Sequence, residues 1–467
     1  MHCESIYFIG IGGIGMSNLA RYFLSRGKRV GGYDRTESPL TRALQDEGAL
    51  VRYEDNAASL PAPFLDRDTT LVVYTPAVPD THGELRFFRE NGYTLMKRAQ
   101  LLGQITAASD AVCVAGTHGK TTVSSMIAHL LRQSPVDCNA FLGGILRNCN
   151  TNLLLSPTSH LTVVEADEYD RSFHWLKPRI AVITSADPDH LDIYGTATAY
   201  RESFETFTTL IRPGGHLIVK RGIALTPRCD ASVKVWSYGE TEGDFHAGNI
   251  RMCDGEILFD LHTPAHGTIH HISPGVPARI NVENATAAAA AALLCGVAPA
   301  FVRPALQTFG GVARRFEFHL RTARIVLIDD YAHHPRELSA TLRSVRTLYP
   351  GRKITAIFQP HLYSRTRDFA EAFARSLTLA DEVILLDIYP AREEPIPGVT
   401  SRIIFDRIHA TRKTLCTAQQ LPRLLRERET EVLITLGAGD IDRLLPTLKR
   451  VLSEKYLAPD TPGFTDR

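Results

Sequence analysis

An α/β protein of about three domains is predicted from three observations. The 467-residue chain is longer than one hydrophobic core organises, apolar strand-like runs alternate with helical spacing along most of it, and two of those runs open into glycine loops. Apolar residues make up 44% and charged residues 22%, the balance of a compact globular fold and not of a disordered chain.

The elements follow in order. SIYFIGIG, KRVGGYD and TTLVVYTPAV read as strands separated by amphipathic helical segments, so the first hundred residues form a parallel α/β unit. A second start comes at DAVCVAGTHGKTT, where a strand again runs into a glycine turn and a helix. HLTVVEAD and RIAVITSADPDH continue as strands, and HAGNIRMCDGEILFDLH has a hairpin's shape with Asp254 and Gly255 at the turn, which mixes antiparallel pairing into the middle domain. The run Ala287 to Ala292, between Asn284 and Leu293, reads as a closely packed helix rather than as low complexity. After GGVARRFEF a third alternation begins with ARIVLIDDYAHHP, KITAIFQPH, DEVILLDIYP and EVLITLGAGDI, another parallel sheet. Boundaries near residues 107 and 320 give domains 1–107, 108–320 and 321–467, and the tail from about Tyr456 reads as mobile.

Charge and cysteine usage exclude several classes. The 52 Lys plus Arg against 51 Asp plus Glu leave a net charge of +1, so no global basic field draws the chain to nucleic acid or an acidic membrane. No run approaches about 18 apolar residues and the N-terminus has no signal-peptide pattern, so a cytoplasmic protein without membrane insertion is expected. Cysteines at 3, 113, 138, 149, 229, 253, 295 and 416 form no CxxC pair, which predicts free thiols and neither a zinc site nor a disulfide framework.

The sharpest motif is Gly116-Thr117-His118-Gly119-Lys120-Thr121-Thr122, entered from VCVA and leading into VSSMIAHLL. Glycines let backbone N–H groups curl around phosphate, the helix N-terminus adds positive potential, Lys120 reaches the β/γ oxygens and Thr121 is placed to ligate Mg²⁺. The spacing is shorter than the general GxxxxGK[ST] loop, which narrows the families that fit. A second glycine loop, Gly10-Ile11-Gly12-Gly13-Ile14-Gly15, is followed by Asp34 after the next strand. A pyrophosphate can approach that backbone, whether from NAD or from a UDP-linked substrate; Asp34 is either a binding carboxylate or a solvated one. Glu165 ends the strand HLTVVEAD where a phosphate-binding sheet needs a metal partner. Asp167, Glu168 and Asp170 read as solvated or N-capping. His190, in DPDHLD at the carboxyl edge of a sheet, is a candidate for a metal or phosphate role.

GTHGKTT, EADE, DHLD, INVENATAAAAAA, ARRFEF and DDYAHHP occur in this order over nearly the whole chain. Together they resemble the ATP-dependent Mur ligases of peptidoglycan assembly. FIGIGGIGMS, the histidine inside the phosphate loop, DDYAHHP and FQPHLYSRTRD look most like the branch that adds L-alanine to UDP-N-acetylmuramate. The resemblance implies an N-terminal Rossmann-like domain for the UDP-sugar, a central ATPase domain and a C-terminal Rossmann-like domain for the amino acid. It implies that Gly116 to Thr122 cradle ATP, with Thr121, Glu165 and His190 on magnesium, and that Asn284, with Asn281, meets the adenine. Arg315 resembles the arginine brought to the phosphates and Asp330 the carboxylate that meets the nucleotide, while Tyr331, His333 and Arg365 line the amino-acid pocket. The bland alternatives are that Asn284 caps a helix, that Arg315 pairs near Glu317, and that His334-Pro335 starts a helix. The arginine that often follows QPH in this branch is Leu362 here, which shifts carboxylate recognition to Arg365 or Arg367. No lysine lies between Lys177 and Lys220, where sister branches carry a modified lysine, in keeping with the alanine-adding branch.

The expected reaction passes through an acyl phosphate, with ATP and Mg²⁺ required, His333 positioning or deprotonating the amine, and Gly310-Gly311 a hinge for closure. Expected partners are UDP-N-acetylmuramate and L-alanine, with a monomer or weak homodimer as the working form. The competing readings are a recycling ligase that attaches a preformed tripeptide, an NAD-linked oxidoreductase resting on the first glycine loop, and a non-catalytic nucleotide sensor.

Overall fold

The structure, a computed structural model, describes residues 3–253, 255–391, 393–409 and 412–457, without the side chains of Asp192 and Cys253. Asp254 at the expected hairpin turn and the tail beyond Leu457 lie outside the described residues. Among the described residues the strands form three sheets.

In the first, β1 (Ser5–Ile9), β2 (Arg29–Tyr33), β3 (Leu50–Arg52), β4 (Thr70–Tyr74) and β5 (Thr94–Lys97) line up as β3-β2-β1-β4-β5, all parallel. The chain reverses its direction of travel across the sheet between β1 and β4, and such a switch point opens a crevice at the strands' carboxyl ends. The first glycine loop lies there, turning β1 into the helix Ile14–Ser25.

The second sheet contains β6 (Asp110–Ala115), β7 (Asn139–Leu146), β8 (Thr151–Leu154), β9 (Leu161–Ala166), β10 (Ile180–Ile183), β11 (His216–Lys220), β12 (Lys234–Gly239), β13 (Phe245–Cys253), β14 (Glu256–Thr263) and β15 (Gly267–Ile272). Their order is β15-β14-β13-β12-β11-β10-β6-β9-β7-β8, with β6 flanked in parallel by β9 and β10, and antiparallel pairs at both ends. The phosphate-loop strand is thus central, and its loop opens between the ends of β9 and β10.

In the third, β16 (Glu317–Arg321), β17 (Val326–Asp330), β18 (Ile354–Phe358), β19 (Glu382–Leu385), β20 (Arg412–Leu415) and β21 (Val432–Leu436) are ordered β16-β17-β21-β18-β19-β20, parallel except for β16. This sheet already takes in Glu317, just ahead of residue 320.

The chain divides into two compact units, one of Met1–Asn249, Phe259–Ile272 and Glu283–Gly310, the other of Ile250–Leu258, Ser273–Val282 and Gly311–Arg467. The last division falls between Gly310 and Gly311. Within the first unit, the alternation of β1 sends Ile6 and Phe8 into a core shared with residues of the second sheet such as Cys113, Phe141 and Ile183. Tyr7 and Ile9 point to the opposite face, against Phe64 and Phe88. Buried amides tie the two sheets: Asn152 Nδ2 donates to the Ile14 carbonyl at 2.7 Å and Asn18 Nδ2 to that of Leu142 at 3.3 Å. Ala287 to Ala292 are fully buried in the helix Ile280–Leu294, as the packed-helix reading expects. The cysteines with described side chains are free thiols. No helix among the described residues is long and apolar enough to cross a membrane.

Candidate active site

The loop after β6 is shaped by what it packs on. Gly116 has φ +146°, and a Cβ there would sit 2.0 Å from Thr184 Oγ1 at the end of β10. Gly119 has φ +84° and lies beside Asn284, whose Oδ1 would be 3.2 Å from a Cβ. Both positions therefore need glycine, one chiefly for space and one for conformation. The Ser185 hydroxyl accepts from the His118 amide at 2.8 Å, and Thr117 Oγ1 donates to the Asp187 carbonyl at 2.7 Å. The helix Lys120–Arg132 then begins, with Thr121 buried on its first turn.

Lys120 Nζ donates to the Gly116 carbonyl at 2.6 Å and pairs with Glu168, at 2.8 Å from Oε2 and 3.1 Å from Oε1. Glu168 departs from its expected solvated or capping role: its side chain is 2% exposed and its carboxylate faces the loop. Burial pushes its pKa up, opposed by the Lys120 charge. Burial disfavours the Lys120 ammonium too, yet Glu168, Glu165 and Asp167 raise its pKa on balance. Asp167 does accept from the Tyr169 amide, and it pairs with Arg98; Asp170 pairs with Lys97.

Glu165 closes β9 opposite Val114 of β6. Its Oε2 is buried with no hydrogen-bond partner, above Gly143, where a Cβ would come within 2.0 Å of that oxygen. An orphaned carboxylate oxygen is costly unless a cation completes it. His190 has φ +51° and brings its Nε2 to 4.0 Å from Glu168 Oε1. Among the described residues no three His, Cys, Asp or Glu side chains converge as a cage. Mg²⁺ held between phosphates needs only one or two carboxylates, with water and phosphate oxygens completing the shell, so Glu165 fits it.

Asn284 thus lies beside the loop, whereas Asn281 Nδ2 donates to the Val276 carbonyl at 3.1 Å in a local tie. In the first glycine loop, Gly10 has φ +88° and its amide donates to the Tyr33 carbonyl; the Gly13 amide donates to that of Gly10. Asp34 accepts from the Gly12 amide at 2.8 Å, so its carboxylate braces the loop from within. Ile14 opens the helix, and Gly15 faces Arg98, whose Nη1 would be 2.9 Å from a Cβ there.

In the second unit, two doublets split by strand and loop geometry. Arg314 is anchored: Nε pairs with buried Asp329 at 3.2 Å, and Nη1 and Nη2 donate to the Gly439 and Gly437 carbonyls. Both guanidiniums lie over the Tyr331 ring, Arg314 at 5.2 Å and Arg315 at 4.9 Å from its centroid. It is Arg314, through its amide, that meets Glu317. Asp330, on the opposite face of β17 from Asp329, accepts from Thr341 Oγ1 at 2.8 Å and the Ala332 amide at 3.0 Å. Burial raises its carboxyl pKa to about 6, against the pull of Arg315. His333 Nδ1 lies 2.9 Å from the Tyr331 carbonyl and 3.5 Å from Glu337 Oε2. Burial lowers its pKa, opposed by Glu337 and helped by Arg365, so the ring is neutral at neutral pH. His334 caps the helix Pro335–Leu348 in a box with Glu337, the structural role its sequence allows. Leu362 is buried with φ +67° at the cap of Tyr363–Asp368, and Arg367 pairs with its exposed neighbour Asp368 at 2.7 Å.

The structure therefore gathers Lys120, Thr121, Glu165, His190 and Asn284 around one loop, and Arg315, Asp330, Tyr331, His333 and Arg365 around the end of β17. Sequence reasoning missed Glu168 and Tyr200, whose hydroxyl lies 2.9 Å from Thr117 Oγ1; the one available signal was the last carboxylate of EADE, two residues past the end of β9.

Family profiles match at three stretches: the catalytic domain of the Mur ligase family over residues 5–110, the Mur ligase middle domain over 114–292, and the Mur ligase glutamate ligase domain over 314–439. The chain is 60% identical over 456 residues to the UDP-N-acetylmuramate–L-alanine ligase of Parabacteroides distasonis, spanning 97% of this chain and 98% of that one. It is 56% identical over 453 residues to the ligase of the same name from Phocaeicola vulgatus, with 97% and 99% covered. The crystal structure of the UDP-N-acetylmuramate-alanine ligase of Thermotoga maritima matches with a TM-score of 0.82 at 28% identity, over 97% of this chain and 100% of that one. A murein peptide ligase from Psychrobacter arcticus matches in fold, with a TM-score of 0.68 at 22% identity over 96% and 98%. With three consecutive profiles and relatives above half identity along nearly its full length, this chain belongs to the Mur ligase family.

Proposed function

We propose that this protein joins L-alanine to the lactyl carboxylate of UDP-N-acetylmuramate while converting ATP to ADP and phosphate, a step in making the peptidoglycan precursor in the cytoplasm. The observation that carries the reading is 60% identity along 97% of the chain to an enzyme of that name, with the Lys120 loop and the unpartnered Glu165 oxygen in place. Residues 1–107 take the UDP-sugar, 108–320 the ATP and 321–467 the amino acid, and the working form is a monomer or weak homodimer.

A carboxylate does not condense with an ammonium because its leaving group is poor. A lactyl oxygen attacks the γ-phosphorus, the bond to the β-phosphate oxygen breaks, and acyl phosphate and ADP result. Lys120 and the loop amides of Gly116 to Thr122 offset the charge on the phosphates, and Asn284, with Asn281, meets the adenine. Thr121, Glu165 and His190 would hold Mg²⁺, which when bound supplies further charge neutralisation. The first glycine loop, Gly10 to Gly15 with Asp34 bracing it, receives the UDP diphosphate. Arg365 grips the alanine carboxylate beside Tyr331, and neutral His333 accepts a proton from the amine as nitrogen attacks the acyl carbon and phosphate departs. Arg315 and Asp330 serve the nucleotide.

Phosphate release tests this. Release should require ATP, UDP-N-acetylmuramate and L-alanine together; release with the preformed tripeptide but not L-alanine would move the protein to the recycling reaction, and none with any acceptor would leave a nucleotide-binding protein.

A further inference from the structure

We propose that Glu168 is the positioning residue of the nucleotide loop, holding Lys120 turned inward until polyphosphate oxygens take the ammonium from it. The proposal rests on the reading of Gly116 to Thr122 as a phosphate loop. An ammonium has three protons to donate. Lys120 donates to the Gly116 carbonyl at 2.6 Å, the Thr117 carbonyl at 3.5 Å and Glu168 Oε1 at 3.1 Å, with Glu168 Oε2 at ion-pair distance, 2.8 Å. A lysine that serves a triphosphate must present that ammonium to phosphate oxygens instead.

Glu168 is built to hold. Its side chain is 2% exposed, and the buried Tyr194 hydroxyl donates to its backbone carbonyl. Buried Tyr200 places its hydroxyl 3.4 Å from Glu168 Oε1 and 2.9 Å from Thr117 Oγ1, and Thr117 donates in turn to the Asp187 carbonyl. One carboxylate is therefore linked to loop position 117 through Tyr200 and to position 120 directly. Glu165, three residues earlier, and Glu168 each keep one buried oxygen without a hydrogen-bond partner, but it is Glu168 that pairs with the Lys120 ammonium. Glu165 and Glu168, two of the three carboxylates of EADE, divide the work, Glu165 offering an acceptor and Glu168 setting the lysine.

An incoming phosphate and Glu168 then compete for one cation, and apparent nucleotide affinity is reduced by the fraction of protein in which the pair is closed. Removing the competitor should strengthen binding while leaving Lys120 poorly oriented for the reaction. ADP binding by calorimetry, with metal chelated, reads this in the full chain. Glu168→Gln should tighten ADP at least about fivefold and lower kcat at least about tenfold, and Glu168→Asp, with its charge kept and its reach shortened, should tighten ADP by less. A purely structural role predicts weaker binding in both variants, so unchanged or weakened ADP affinity overturns the proposal; if Glu168→Gln fails to fold, Glu168→Asp decides on the same sign. Wild-type protein that binds no ADP overturns the phosphate-loop reading itself, a result distinct from wild-type binding that the variants leave unaltered.

Discussion

Lys120 and Glu168 are buried together, so removing one leaves the other uncompensated. Breaking such a pair from one side costs about 3–5 kcal/mol. Lys120→Ala should therefore lose turnover by about 100-fold or more and also melt earlier, while Lys120→Ala with Glu168→Gln recovers the melting temperature without the activity; scanning fluorimetry and a phosphate assay separate the two effects. The lysine was legible because a motif surrounds it, but the stability term was not, since its partner is 48 residues away. Arg365→Ala should raise the KM for L-alanine by roughly ten- to a hundredfold with little change for ATP, whereas Arg367→Ala, already paired outward to Asp368, should leave it within about twofold. Asp330 gives a pH signature. Its pKa rises from 3.8 to about 6 on burial, so ionising it costs folding stability that is absent below about pH 4 and complete above about pH 6. Asp330→Asn should raise stability at pH 7.5 by as much as about 3 kcal/mol and barely alter it at pH 4, as melting curves at the two pH values will show.

At the scale of elements, the strands most readable in the sequence include the central ones, β1, β4, β6, β9, β10, β17, β18 and β21, whose burial on both faces writes a continuous apolar run, and β2, β13, β14 and β19 were legible beside them. β3, β5, β8, β16 and β20 lie at sheet edges with fewer buried positions or little length, and β12 begins with two exposed residues; none stands out from a loop by pattern alone. The doublets Arg314-Arg315 and Asp329-Asp330 show the complementary limit. Letters that are identical in sequence acquire different duties, Asp329 and Asp330 because neighbours on a strand face opposite ways and Arg314 and Arg315 because the turn before β16, with Arg314 at φ +62°, sends them to different partners. Gly143 is a further case: no motif marks it in the sequence, yet it makes room for Glu165. Gly143→Ala should leave the fold and the circular dichroism spectrum intact and cut kcat by about 100-fold, the usual effect of moving a reacting group's neighbour by an ångström.

For the whole molecule, the three-domain pattern was visible as three strand-loop-helix series, but the sharing of one core between the first two sheets was not, because shared cores leave no mark in local periodicity. Residues 1–107 expressed alone should melt without a cooperative transition, exposing the side of the helix Ile14–Ser25 that packs on β7 and β8, and the unit comprising residues 1–249 with its two later segments should melt as one. The same shared core sets a timetable during protein synthesis. Its members run from Cys3 to Val233, so a ribosome that has finished residue 107 must still add 126 residues before the last of them is made. At about 5–20 residues per second the emerging first domain waits roughly 6 to 25 s with the side of the helix Ile14–Ser25 that packs on β7 and β8 uncovered, an interval in which a nascent-chain chaperone has both the time and the surface to bind.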